Sequence, residues 1–227
     1  MTELFSPDLS LISLDEFFES MKQKTMLPGR IALQENAGQL FLILNREGLR
    51  TMADLYDKLK TQKRVESLAA LTGLDRELLI LLRREALSWL PKPIPLNSLP
   101  DLEKGPAAAL EVQAIKNTKD LFEHLQEAGS LENLAQGTGV DPSTLRKLLG
   151  LADLSRVNGI GPAFLRMLAE TGIGSVRQFL ALEPEELIQA LEKEAKVRGE
   201  KRPPLSAEDM EYCLWYARRL PEIDSFL

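Results

Sequence analysis

Apolar residues recur along most of the chain at intervals of three and four positions, the spacing of an amphipathic helix. No segment shows the sustained two-residue alternation, flanked by hairpin turns, that is typical of antiparallel strands. Leucine occurs 44 times against 16 valines plus isoleucines, and aromatic residues make up only 6% of the chain. This composition favours helix over strand. The pattern therefore predicts an all-α fold.

Residues 54–86 and 120–152 align with each other without a gap at a separation of 66 positions. Twelve of the 33 aligned pairs are identical, where a random overlap gives about two. The identities include two Thr-Gly pairs and the aspartates that follow them: Thr72-Gly73 with Asp75, and Thr138-Gly139 with Asp141. Glycine favours the end of a helix and aspartate the start of the next one. The repeat predicts two related halves, each a stack of short helices.

Hydroxyl residues mark the predicted starts of helices, because a side-chain oxygen at the N-cap accepts an otherwise unpaired backbone N–H. Thr51 and Thr118 suit the N-cap of the first helix in the two repeats. Ser13 suits the start of an N-terminal helix, and Ser206 that of the last helix.

A proline-rich segment at residues 91–105 separates the two halves. Its prolines are Pro91, Pro93, Pro95 and Pro100, followed by Pro106 just beyond it. Because proline is not tolerated inside a helix, we expect an extended connector. The sequence thus divides into an N-terminal helical repeat half at 1–90, the connector, and a C-terminal helical repeat half at 106–227.

The charge balance excludes a uniformly basic surface for coating nucleic acid, since 28 basic residues stand against 34 acidic ones, a net charge of -6. No apolar run approaches the roughly 18 residues of a membrane span. Acidic residues interrupt the N-terminal stretch, which argues against a secretion signal. The single cysteine, Cys213, excludes an internal disulfide and fits a reducing compartment. We expect a cytoplasmic protein without membrane contact.

The most distinctive short motif is Gly159-Ile160-Gly161, which has helical patterns on both sides. Glycine lets the backbone approach an anion, and a following helix presents free N–H groups and the positive end of its dipole. Arg156 and Arg166 add positive charge nearby. These five residues are the predicted nucleic-acid-binding site.

The motif resembles the helix-hairpin-helix, and a wider set of residues is similar to an uncharacterised bacterial helix-hairpin-helix repeat family, a domain of unknown function. The residues that carry this resemblance are Leu134-Ala135, Thr138-Gly139, Ala152-Asp153-Leu154, Arg156 and Gly159-Ile160-Gly161. The resemblance is clear over 114–192 and weaker over 40–90. It implies tandem helix-hairpin-helix-like repeats, and backbone amides of the hairpin that grip a nucleic-acid phosphate.

Two interpretations of the hairpin stay open. It binds phosphate, or it is purely structural, with Gly159 ending one helix and Gly161 letting two helices pack closely. Ala163 stands just after the hairpin, where nucleic-acid-binding relatives usually have a basic or hydroxyl residue. In the first repeat Pro93-Ile94-Pro95 occupies the equivalent place, and proline has no backbone N–H. At most one copy of the motif can therefore bind.

Both repeats also resemble a DNA-reading helix-turn-helix in the spacing of their alanine, glycine and leucine positions. A recognition helix must expose polar side chains to base edges. In the first repeat that helix contains the apolar run Leu78–Leu82, and in the second it contains Arg146 and Lys147. Plain helix packing produces the same spacing.

The last helix carries two apolar stripes. Met210, Cys213, Leu214 and Ala217 form the first stripe, and Tyr212, Trp215, Tyr216 and Arg219 form the second. A surface helix needs only one apolar face, and binding interfaces are enriched in Trp, Tyr and Arg. The second stripe is therefore the predicted partner-binding site, unless the helix is buried on both sides.

The sequence offers no catalytic or metal-binding constellation. The only histidine, His124, has no second histidine or cysteine beside it, and Cys213 lies in an apolar stripe. The phosphate-loop and dinucleotide glycine patterns are missing. We expect no enzyme, no cofactor, no metal and no small-molecule substrate.

Two functions follow as hypotheses. The first is weak, sequence-independent binding of a DNA or RNA backbone through the Gly159–Gly161 hairpin. The second is a protein–protein adaptor or scaffold in which the hairpins are structural. Convergence of Arg156, Arg166 and Arg177 beside the glycines favours the first hypothesis, and their dispersal favours the second.

Overall fold

The computed structural model describes residues 4–23, 28–99, 104–125, 129–199 and 206–223. Across these ranges all regular secondary structure is helical, and β-structure is limited to isolated bridges. The predicted all-α fold is confirmed. The chain divides into two compact units, an N-terminal unit of residues 8–90 and a C-terminal unit of residues 1–7 and 91–227.

The N-terminal unit contains six α-helices within its described residues. They are α1 (Leu14–Gln23), α2 (Ile31–Glu35), α3 (Ala37–Arg46), α4 (Met52–Leu59), α5 (Gln62–Thr72) and α6 (Arg76–Ser88). Helix α1 packs on α3, and α4 packs on α5 and α6. Trp89 is buried against the edge of Phe17, with ring centroids 5.3 Å apart. Buried Glu85 pairs with Arg30.

The described part of the C-terminal unit contains eight α-helices. They are α7 (Lys104–Val112), α8 (Thr118–His124), α9 (Ser130–Thr138), α10 (Pro142–Leu154), α11 (Pro162–Glu170), α12 (Val176–Leu180), α13 (Pro184–Arg198) and α14 (Ala207–Ala217). Helix α10 packs on α8, α9, α11 and α12, and α14 packs on α12 and α13. Phe5 joins this core through an edge contact with Phe122, at 5.6 Å between centroids.

The proline-rich segment belongs to the C-terminal unit. Its backbone is non-helical over 91–95, and Ile94 and Leu96 are buried. The Ile94 carbonyl accepts the backbone N–H of Thr118 at 2.9 Å, while the Leu96 N–H donates to the Lys116 carbonyl at 3.0 Å. The described part of the segment is thus held against the start of α8. The three-part division of the chain stays a prediction.

The two repeats end their helices at equivalent positions. Helices α5 and α9 both stop at a glycine with φ +69°, Gly73 and Gly139. Asp75 then caps α6 by accepting the Leu78 N–H at 2.8 Å, and Asp141 caps α10 in the same way through the Ser143 N–H at 2.9 Å. A glycine that ends one helix and an aspartate that caps the next therefore form the turn between the two helices in both units.

The predicted cap at Thr118 is wrong by one residue. Asn117 is the N-cap of α8, and its side chain accepts the N–H groups of Lys119 and Asp120. Thr118 is buried inside the first turn, where its hydroxyl accepts the Ile94 N–H at 3.0 Å and the Ser155 hydroxyl at 2.8 Å. Thr51 caps α4 as predicted.

The two helix-ending glycines give a paired stability test. Gly73→Ala and Gly139→Ala should each cost about 1–2 kcal/mol, because φ is positive although nothing lies within 4 Å of the new methyl group. Gly38→Ala and Gly105→Ala are the matched controls, since these exposed helical glycines also face open space but lack positive φ. Urea titrations followed by circular dichroism should show lower midpoints for the first pair only. Equal effects in all four variants would contradict the assignment.

Candidate functional site

Residues 155–161 form the turn that joins α10 to α11. Gly159 has φ +98°, whereas Gly161 is extended and directly precedes Pro162 at the first position of α11. Ile160 is buried between these two exposed glycines, and its N–H donates to the Val157 carbonyl at 3.1 Å. The tip of the turn therefore lies at the surface and is anchored by one isoleucine.

One side of this turn is covered by α14. A β-carbon on Gly159 would lie 2.8 Å from the Sγ of Cys213, closer than van der Waals packing allows, while nothing lies within 4 Å of one on Gly161. The Cys213 thiol also donates to the Asn158 carbonyl at 3.5 Å. Gly159, rather than the predicted Gly161, is the glycine that permits a close approach.

Arg156 is only 1% exposed, which corrects the expectation that it faces a phosphate. Its guanidinium forms an ion pair with Asp153 at 2.5 Å and donates to the Pro221 carbonyl at 2.7 Å. The same group stacks over the Phe122 ring, 4.7 Å from the centroid. Because the Arg156 guanidinium is buried with these partners, it is not available to a ligand at the tip of the turn.

Asp153 completes this buried cluster. Its second carboxylate oxygen accepts the Val176 N–H at 2.8 Å, at the start of α12. Burial raises the pKa of Asp153, against the opposing charge of Arg156 and the hydrogen bond from Val176. Burial likewise lowers the pKa of Arg156, with the charge of Asp153 acting in the other direction. Each charge therefore offsets part of the other's desolvation, and burial remains the larger effect on both pKa values.

The remaining cations near the turn do not converge on it. The Nε of Arg166 lies 3.8 Å from Glu170, one turn further along α11, and Glu170 also accepts a hydrogen bond from Arg198 at 2.8 Å. Arg177 lies on α12 and is exposed. In the second repeat's candidate recognition helix, Arg146 lies 3.9 Å from Glu132. Of the predicted cations, Arg156 is thus buried and Arg166 lies beside an acidic residue.

Helix α14 buries its first stripe, as expected for a core-facing side. Tyr216 is also buried, which corrects its assignment to the partner-binding stripe. The other three members of that stripe, Tyr212, Trp215 and Arg219, are partly exposed. We call these three residues the aromatic ladder.

The aromatic ladder is an ordered stack. The rings of Tyr212 and Trp215 lie 6.1 Å apart with an interplanar angle of 24°. The Arg219 guanidinium lies 3.7 Å from the centroid of the Trp215 ring, and it donates to the Trp215 carbonyl at 2.9 Å. The helical spacing of three and four residues was the sequence signal for this surface.

The described part of the chain lacks two kinds of feature. Within it, no helix is both long enough and apolar enough to cross a membrane. The same residues contain no group of three or more His, Cys, Asp or Glu side chains placed to hold a metal ion. His124 is exposed at the end of α8.

The buried ion pair generates a stability prediction. Arg156→Met should cost about 3–5 kcal/mol, because it leaves the Asp153 carboxylate buried without its counter-charge. The double variant Arg156→Met/Asp153→Leu should recover much of that loss. Arg166→Met is the matched control, since Arg166 is half-exposed and Glu170 keeps Arg198 as a partner, so the expected loss is at most about 1 kcal/mol. Guanidinium titrations measure all three. A double variant no more stable than the single one would refute compensation.

The close approach at Gly159 generates another prediction. Gly159→Ala should cost at least about 2 kcal/mol, since positive φ and the clash with Cys213 act together. Gly161→Ala should leave thermal stability nearly unchanged. Adding Cys213→Ala should restore part of the Gly159→Ala loss by removing the sulfur, as a double-mutant cycle of melting temperatures would show. Additive effects would mean that the two residues do not touch.

Comparison with known proteins gives one match. A family model, described as Domain of unknown function (DUF4332), matches residues 100–219, which include α7 to α14 and therefore the turn, the ion pair and the whole aromatic ladder. No curated protein and no solved structure matches the chain significantly. Because the matched region is more than half of the 227 residues, the chain belongs to the DUF4332 family.

Proposed function

We propose that this protein is a non-catalytic, cytoplasmic adaptor that binds another protein through the aromatic ladder of α14. The observation that carries the proposal is the partly exposed stack of Tyr212, Trp215 and Arg219. Trp, Tyr and Arg are the residue types that dominate the binding energy of protein interfaces.

The order within the aromatic ladder supports this role. Stacking on both sides of Trp215 limits its rotamers before a partner arrives, so little side-chain entropy remains to be lost on binding. The guanidinium of Arg219 lies over the Trp215 ring, so this surface combines aromatic groups with a cation. A rigid, amphipathic surface of this kind suits a partner that offers both apolar and acidic groups.

The turn between α10 and α11 has a supporting role in this proposal. We propose that residues 142–170 form a helix-hairpin-helix, and that Gly159 serves it by letting α14 pack against the hairpin through Cys213. The hairpin then fixes the helix that carries the aromatic ladder. In this interpretation the tandem helix-hairpin-helix-like repeats are structural.

The test is partner capture followed by an affinity measurement. Wild-type protein should recover a partner from its native cells with or without nuclease, and Trp215→Ala should lose it. With that partner purified, Trp215→Ala should raise Kd about 30-fold or more, the size of a binding hot spot. Val112→Ala is the control, because Val112 is an 83% exposed apolar residue on α7. Equal recovery by Trp215→Ala, or loss on nuclease treatment, would contradict the adaptor proposal.

Binding of a nucleic-acid backbone is the second candidate. The observation in its favour is the exposure of Gly159, Gly161 and Ala163 at the start of α11, where backbone amides lie at a helix N-terminus. It has less support than the adaptor, since Arg156 is buried and Arg166 lies beside Glu170. Any binding would rest on few phosphates.

Fluorescence anisotropy with single- and double-stranded DNA and RNA at low salt tests this candidate. We expect weak binding with a shallow salt dependence, because few counterions are released. Gly161→Pro, which removes one N–H from the tip, should weaken it, whereas Gly161→Ala should not. Absence of binding, or equal binding by a folded Gly161→Pro variant, would eliminate the hairpin as a nucleic-acid site.

A further inference from the structure

A cleft of about 630 Å³ opens between α12 and the segment that follows α14, away from the aromatic ladder. Its walls are aliphatic, and they include Val176, Leu180, Leu220 and Ile223. Arg156 and Asp153 line its base. The volume is in the range of sites for small organic molecules.

Two further arginines line this cleft, Arg177 from α12 and Arg218 from the end of α14. Both are exposed, and within the described ranges neither has an ion-pair or hydrogen-bond partner. At the base, the Nε of Arg156 is buried without an acceptor among the described residues. Three arginines thus line one cleft, and the side chains of Arg177 and Arg218 have no partner among the described residues.

The acidic residues of the cleft do not cancel this charge. Asp153 is already paired with Arg156, which leaves Glu222 as the only other carboxylate among the described lining residues. Guanidinium groups bind carboxylate and phosphate oxygens through paired N–H donors. The local charge therefore favours an anionic ligand.

The side chains that line the cleft also indicate the chemistry of the uncharged part of the ligand. Among the described residues that line the cleft none is aromatic, so it offers no ring on which a nucleobase could stack. Aliphatic side chains on α12 and after α14 favour an aliphatic body instead. The ligand chemistry is then an acidic head on a saturated carbon chain.

We propose that this cleft binds a small amphipathic anion, with its carboxylate or phosphate head held by Arg177 and Arg218 and its aliphatic chain packed against Val176, Leu180 and Leu220. This site is independent of the aromatic ladder. Binding here makes no use of the exposed Gly159 and Gly161 at the tip of the turn.

Isothermal titration calorimetry on the full chain tests the proposal, with decanoate and decyl phosphate as probes below their aggregation concentrations. The two probes distinguish a carboxylate head from a phosphate head, and we expect at least one to bind with submillimolar Kd. Decanol and inorganic phosphate each carry only half of the ligand and should bind at least tenfold more weakly. Raising the salt concentration should weaken binding of the anionic probe, because its head lies near the surface.

Substitutions of the two cleft arginines test whether the probe binds in the cleft. Arg177→Gln and Arg218→Gln should each raise the Kd of the better probe at least tenfold, and neither removes an ion pair on which folding depends. Arg146→Gln, an exposed arginine on α10 outside the cleft, should leave the Kd unchanged. The proposal is overturned if neither probe binds, if decanol binds as tightly, or if the two cleft variants behave like Arg146→Gln.

Discussion

The ion pair between Asp153 and Arg156 is the interaction on which the C-terminal unit depends. Two charges removed from water are costly, and the cost is offset by their mutual attraction and by further hydrogen bonds. Asp153 divides its oxygens between the guanidinium and the Val176 N–H, while Arg156 also reaches the Pro221 carbonyl and the face of Phe122. Together the two side chains join α8, α10, α12 and the segment after α14.

This cluster bears on the positions of both proposed binding surfaces. The positive charge nearest the turn is used inside the fold, which leaves the tip with backbone amides and no arginine of its own. The cluster instead forms the base of the arginine-lined cleft, while Gly159 and Cys213 fix the helix that carries the aromatic ladder. Residues of the turn thus contact the helix that carries the aromatic ladder and also line the cleft.

Sequence reasoning succeeded where local chemistry decides the structure. The positive φ at Gly73 and Gly139 and the caps at Asp75 and Asp141 depend on neighbours within four residues. The predictions for Thr118, Arg156 and Tyr216 were wrong, because the positions of these side chains depend on residues far away in the sequence. Thr118 is recruited by Ile94 and Ser155, Arg156 by Phe122 and Pro221. A helical spacing shows that α14 has two stripes, but not that Tyr216 is covered while Trp215 is left partly exposed.

The asymmetry between the two repeats has the same physical origin. Pro93-Ile94-Pro95 stands 66 residues before Gly159-Ile160-Gly161, yet its backbone is committed to the start of α8 through Ile94 and Thr118. A segment that holds a helix by its own N–H and carbonyl groups has none left for a ligand. In the glycine version the Ile160 N–H instead donates within the turn to the Val157 carbonyl, so the two glycines are exposed and Gly159 lies against Cys213 of α14. Similar helices are therefore followed by different segments in the two repeats. The proline segment is hydrogen-bonded to the start of α8, whereas the glycine turn leaves Gly159 and Gly161 exposed.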